Sequence, residues 1–238
     1  MKRKTFITAI DGWSQCLLPR SCVLCAVRLS AGHFCKDCLS DLPWIAAACD
    51  RCGQPLGAPL AEGGFCVACQ QRAAPFEKAF APLLYSFPVD SALKALKFSH
   101  QLFYAPAFGE LLAPLLETLF PEADSLLPVP LHRRRHASRG FNQAAELCRP
   151  LQRISRLPTI GNVCRVRFTK PQTGLDAAER RRNLKAAFEV RGALRFRHPL
   201  LIDDVITTGE TCRQLASTLL RAGAERVSVL AVARAASA

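Results

Sequence analysis

Apolar residues recur at steps of three and four through "HQLFYAPAFGELLAPLLETLF" (residues 100–120), where Phe108, Leu111, Leu112, Leu115, Leu116 and Leu119 share one helical face. That spacing predicts an amphipathic helix. Pro106 falls near its start, where a missing N–H is tolerated, and Pro114 predicts a kink. "SLLPVPL" (125–131) reads as a short strand running into a loop. "GFNQAAELCRPL" (140–151) returns to helical spacing at Phe141, Ala144, Ala145, Cys148 and Leu151. "HPLLIDD" (198–204) is a short buried strand, residues 210–222 form a helix through Leu215, Leu219 and Leu220, and "ERVSVLAVAR" (225–234) supplies another buried strand. Strands alternating with helices predict an α/β domain over residues 76–238, with a mostly parallel sheet flanked by helices. In such sheets ligands bind beyond the carboxyl ends of the strands.

Before residue 75 a different pattern rules. Eight of the twelve cysteines form four Cys-x-x-Cys pairs: Cys22/Cys25, Cys35/Cys38, Cys49/Cys52 and Cys66/Cys69. Two thiolates three residues apart grip one ion from a tight turn, and two such knuckles complete a tetrahedron. Residues 16–72 are therefore expected to be a small double zinc ribbon holding two structural Zn ions. Sequential pairing would group Cys22, Cys25, Cys35 and Cys38, then Cys49, Cys52, Cys66 and Cys69; ribbons can also cross-brace. A disulfide framework fits poorly with a chain that shows no secretory signal. The basic start "MKRKTFITAIDGW" has only a short apolar part, broken by Asp11, and no run reaches 18 apolar residues. A cytoplasmic protein without membrane insertion is the expectation. Cys16, Cys148, Cys164 and Cys212 stand alone and read as small buried hydrophobes.

Charge changes the picture next. The chain carries a net charge of +13, and residues 131–200 alone hold 17 Lys/Arg against 4 Asp/Glu. A basic block of this kind suggests a polyanionic partner, either the phosphates of a small molecule or a nucleic acid. The plainer reading of Arg133, Arg134 and Arg135, as of Arg180, Arg181 and Arg182, is a solvated basic face.

Within "LLIDDVITTGET" (200–211) a buried strand runs into two acids and then a Thr-Thr-Gly turn that opens a helix. Free N–H groups at a helix start attract phosphate. Gly209 permits close backbone approach, and the hydroxyls of Thr207 and Thr208 can donate to phosphate oxygens. Asp203 and Asp204 can accept hydrogen bonds from vicinal sugar hydroxyls, so the whole suits a ribose 5-phosphate. The plainer alternative is a Thr-x-x-Glu capping box from Thr207 to Glu210. It leaves the diacid and the second threonine unexplained.

This string resembles the signature by which type I phosphoribosyltransferases bind 5-phosphoribosyl 1-pyrophosphate (PRPP), with Glu210 where that signature usually has a small residue. The order of four cysteine pairs, "ALKALKF", "LPVPLHRRRHASRGFNQAAEL", "KPQTGLDAAERRRNLKAAF" and "LLIDDVITTGET" resembles the ComF/GntX family over nearly the whole chain. Its members are described as competence or DNA-utilisation proteins, with a zinc ribbon before a type I phosphoribosyltransferase-like domain. The resemblance implies that Asp203 and Asp204 hold the ribose hydroxyls and that Thr207, Thr208, Gly209 and Thr211 cradle the 5-phosphate. It places Val129 and Pro130 beside the pyrophosphate and Arg139 on an anionic group. Gln172, Arg180 and Asn183 would belong to a mobile hood, and Lys94 and Lys97 to a basic pair. Lys94, Lys97, Arg133, Arg134 and Arg135 would supply contacts to DNA or phosphate.

Three functions follow from that resemblance. One is cytoplasmic handling of single-stranded DNA, with a helicase or recombination-mediator protein as partner. The second is an active phosphoribosyltransferase, with Mg held by the pyrophosphate of PRPP, Asp203 and Asp204 at its catalytic centre, and a nitrogen acceptor not written in the sequence. The third is a regulator that senses PRPP without turnover. Phe141 reads more readily as core than as a platform for a base.

Overall fold

The structure, a computed structural model, describes residues 20–57, 64–167 and 187–236. The chain divides into two compact units, Met1–Leu42 and Pro43–Ala238. In the first, the backbone doubles back tightly after Cys22, whose N–H donates to Val27 O at 2.8 Å. Helix α1 (Lys36–Ser40) follows and is capped by Cys35, whose sulfur accepts from Cys38 N at 3.3 Å.

The second unit begins with another knuckle. Gly53 turns it with φ +65°, and an added Cβ there would meet Ala79 O at 2.8 Å, so both conformation and space require glycine. Helix α2 (Val67–Gln71) starts directly after Cys66. Strands β1 (Ala79–Phe80) and β2 (Leu83–Leu84) come next, then helices α3 (Val89–Phe98) and α4 (Tyr104–Leu119) and strand β3 (Ser125–Pro128). A short basic helix α5 (Arg133–Arg139) leads through Gly140 into α6 (Gln143–Ser155). Strands β4 (Val163–Arg165) and β5 (Phe188–Val190) pair as an antiparallel ribbon. Strand β6 (Pro199–Ile206), helix α7 (Glu210–Arg221) and strand β7 (Ser228–Arg234) close the chain.

The main sheet runs β1-β7-β6-β3, with β2 also on β7, and every pairing is parallel. Strand β7 is buried throughout, and Leu200, Leu201 and Ile202 of β6 are fully enclosed. Continuous apolar runs are what a parallel sheet covered on both faces demands. Each such side chain contributes about 1.5–3 kcal/mol by leaving water. The segment from Pro43 to Arg51 covers the β1–β2 edge: Leu84 N donates to Pro43 O, Ile45 N to Pro82 O and Ala79 N to Arg51 O, at 2.8–2.9 Å. An edge strand is thereby shielded.

Helix α4 matches the periodicity, although its deepest face is turned toward Ala105, Ala107, Phe108, Leu112, Ala113 and Leu116. Leu111, Leu115 and Leu119 are only half-buried. The reason is a close crossing with α6, where Gly109 lies against the ring of Pro150. Helix α5 is not visible in the hydrophobic pattern because none of its residues is buried.

Candidate functional site

The described cysteines are all free thiols. They form two quartets, Cys22/Cys25/Cys35/Cys38 and Cys49/Cys52/Cys66/Cys69, in each of which the sulfur atoms lie within 4.8 Å of one another. Sequential pairing is thus the observed one. Cys25 and Cys35 sulfurs are 3.6 Å apart, as are those of Cys52 and Cys66. A disulfide needs about 2.05 Å, whereas two sulfurs on one tetrahedral zinc at about 2.3 Å stand roughly 3.8 Å apart. The donor sets fit zinc. Burial raises the Cys49 thiol, but backbone N–H groups of Cys66, Cys52 and Arg51 outweigh it and hold the pKa at about 7. Cys22 sits at about 6 for the same reason, its N–H donors coming from Cys25, Cys35 and Leu24. Cys148 and Cys212 are buried as expected of lone cysteines, and Cys164 is half-buried.

Asp203 and Asp204 lie toward the end of β6, at the carboxyl edge of the sheet. Asp204 is buried and pairs with Lys97. Its N–H donates to Asp203 Oδ1 at 2.9 Å. Burial first, and the Asp204 carboxylate next, hold Asp203 well above the usual carboxylate range. Two adjacent acids in one enclosure cannot both ionise freely.

Beyond β6 the chain exposes Thr207 and Thr208, then takes φ +74° at Gly209, which caps α7 without a side-chain bond. The capping box from Thr207 to Glu210 does not form: Thr208 Oγ1, not Thr207, accepts from Glu210 N, at 3.4 Å. Glu210 instead accepts from Gln214 Nε2 at 2.9 Å, one turn along the helix. Its carboxylate is engaged there, which bears on the unusual residue at this point of the signature. Thr211 is half-buried in the first turn of α7.

Val129 and Pro130 are buried directly after β3, the strand next to β6. Val129 N donates to Ile202 O at 2.9 Å, and its carbonyl accepts from Asn142 at 3.1 Å. Arg139 ends α5 rather than opening α6, because left-handed Gly140 intervenes. Its guanidinium lies 5.0 Å from the ring centre of Phe98. Burial lowers its pKa, while the Asp204 carboxylate pulls it back up. Burial first, and Arg135 next, lower the pKa of Arg165, which the motifs did not single out, while Asp203 pulls it back up. Of the basic pair, Lys97 reaches the diacid, whereas Lys94 bonds Asp90 at 2.6 Å on its own helix. Arg133 and Arg134 are exposed on α5, and Arg135 is half-buried. Gln172, Arg180 and Asn183 lie outside the described residues.

At and just after the end of α3 three aromatic or apolar side chains stand exposed, Phe98 at 66%, Phe103 at 49% and Leu102 at 43%, and of these Phe98 lies against Arg139. Phe141 is only half-buried and tilts against His100 at 5.4 Å. Sequence periodicity could not show this, since exposed phenylalanines carry the same letters as core ones. Arg234 was also missed; it ends β7 and is 4% exposed.

The molecule is therefore an α/β protein with a parallel sheet and a double zinc ribbon of two four-cysteine sites, carrying a diacid and a glycine-turned loop at one strand end. A double zinc ribbon domain family model matches residues 13–75. The DNA utilization protein YhgH of Escherichia coli O157:H7 is 35% identical over 227 residues, covering 91% of this chain and 98% of that protein. Its counterpart in Salmonella typhi is 34% identical over 225 residues, with the same coverage. Competence protein F of Haemophilus influenzae is 29% identical over 225 residues, 90% of each chain. The chain belongs to the ComF/GntX family. Among the described residues no helix is long and apolar enough to cross a membrane.

Proposed function

We propose that this chain acts in competence or DNA utilisation, binding a ribose phosphate such as PRPP at Asp203–Thr211 and single-stranded DNA on the adjoining basic and aromatic surface. The observation that carries the reading is the convergence of Lys97, Arg139 and Phe98 on the diacid strand end. Vicinal hydroxyls would donate to Asp203 and Asp204, while Thr207, Thr208 and the free N–H groups of α7 would meet the phosphate. Mg with the pyrophosphate of PRPP would add charge compensation next to Val129 and Pro130. Bases of a single strand stack on exposed aromatics while arginines follow its backbone. Phe98, Phe103 and Arg139 offer that combination. The relatives' names, DNA utilization protein and competence protein, support the biological setting. A cytoplasmic location and a helicase or recombination-mediator partner belong to the same proposal.

Ribose hydroxyls favour the charged form of Asp203, whose pKa burial and then Asp204 raise in the free site. Ribose phosphate binding should therefore lower that pKa and release protons in the pH range where the free site titrates. Calorimetry with PRPP and magnesium in buffers of differing ionisation enthalpy measures that release. Phosphorus NMR of the same mixture separates binding from pyrophosphate release. Asp203→Asn with Asp204→Asn should abolish both signals. Single-stranded DNA affinity, read by anisotropy, should fall linearly in log–log form with salt, and Phe98→Ala should weaken it by about 1–3 kcal/mol. Absence of PRPP binding removes the ribose phosphate reading, and salt-independent or absent DNA binding removes the other.

A further inference from the structure

Arg234 ends β7, in register with Ile206 of β6 and Leu84 of β2. It is 4% exposed. Its Nη1 donates at 3.0 Å to Ile206 O, the carbonyl that immediately precedes Thr207. Toward the ribbon, Arg234 shares the wall of a cavity with Cys52 and Cys66. Both cysteines belong to the second quartet. Cys52, Cys66, Ile206, Thr208, Gly209 and Arg234 line one cavity of about 140 Å³. Among the described residues no carboxylate pairs with Arg234, and its Nε has no hydrogen-bond partner.

A guanidinium cannot shed its proton, and a buried cation without a partner costs several kcal/mol. A divalent ion held by four thiolates is a dianion. It supplies a counter-charge on the wall of the cavity that Arg234 shares with Cys52 and Cys66. Groups that surround the ligating atoms also orient a metal site and strengthen it. One side chain thus borders the cavity that the metal centre lines and bonds the root of the anion-facing loop.

We propose that Arg234 is a positioning residue that ties the second four-cysteine centre to the loop Thr207–Gly209, so that metal occupancy of this centre sets the loop's order. When the ion leaves, the guanidinium loses the counter-charge beside that cavity which favours its place against Ile206 O. What the loop binds rests on the ribose phosphate reading; the coupling itself does not.

The test uses the full-length, zinc-loaded protein with Arg234→Met and Arg234→Lys, the latter keeping the charge without the fork. Zinc release is followed with a colorimetric chelator, Cys35→Ser identifying the phase of the first centre. Amide hydrogen exchange is followed over residues 205–213. Release from the second centre should quicken roughly tenfold or more in Arg234→Met, less in Arg234→Lys, with the first centre unchanged. Loop exchange in zinc-loaded Arg234→Met should rise to that of unsubstituted protein stripped of zinc. Unchanged release rates, or equal loop exchange with and without zinc in the unsubstituted protein, overturn the proposal. The second comparison needs no substitution and is indifferent to misfolding of a variant. A parallel titration with ribose 5-phosphate should show the same loss on zinc removal. If the unsubstituted protein does not bind it at all, the ligand reading fails while the exchange and release data still decide the coupling.

Discussion

Burial, and next the Asp204 carboxylate, raise the pKa of Asp203, and that has a consequence for stability. Unfolded, the group loses its proton near the ordinary aspartate value of about 3.9. Between that pH and its raised native value the folded state binds more protons than the unfolded one. Stability must fall as pH rises through this window. Asp203→Asn removes the penalty without changing the side chain's shape. It should raise stability by about 0.5–2 kcal/mol at neutral pH and change little below pH of about 4, while ribose phosphate binding is lost. Urea titrations at several pH values check both limbs. The two acids, Thr207, Thr208 and Gly209 were legible as a candidate site because a strand running into adjacent acids and then a glycine turn has few structural uses. The partner of Asp204 was less so. Lys97 stands over a hundred residues earlier, and only its place on α3 facing β6 separates it from Lys94 on the same helix, which pairs with Asp90.

At the scale of elements, the crossing of α4 and α6 decides more than either helix's own pattern. A Cβ on Gly109 would fall 2.1 Å from Pro150 Cγ and 2.9 Å from its Cβ. Alanine is intrinsically better than glycine in a helix by about 1 kcal/mol. Overpacking costs about 1–3 kcal/mol, and the proline ring cannot rotate aside. Gly109→Ala should therefore destabilise, by about 1–2 kcal/mol net in chemical denaturation. In a Pro150→Ala background the same change should cost much less, or stabilise. The existence of both helices was legible from three- and four-residue spacing. The face that α4 buries was not, because spacing cannot tell which side of a leucine-rich helix meets a glycine-enabled crossing. Helix α5 escaped for the opposite reason, having no buried residue to mark it.

For the whole molecule, the two cysteine quartets have different surroundings. The first lies in the unit ending at Leu42, whereas the second belongs to the unit that contains the sheet. Backbone bonds from Pro43 and Arg51 to the β1–β2 edge brace the latter. Cys66→Ser should thus lower the melting temperature of the larger unit, by roughly 5–10 °C for a loss of 2–3 kcal/mol. Cys35→Ser should abolish hydrogen-exchange protection within residues 20–42 and leave that melting transition in place. Calorimetry and exchange on the zinc-loaded variants measure both. By itself the sequence determined the metal chemistry, the parallel α/β class and the diacid loop. Each depends on local spacing: thiolates three apart, apolar runs of strand length, a glycine at a turn. The tertiary structure alone decided which cation meets the diacid, which phenylalanines stay in water, and that Arg234 stands between thiols and loop. Those are contacts between residues distant in the chain, and they follow from strand order and helix crossing, to which no short stretch of sequence is sensitive.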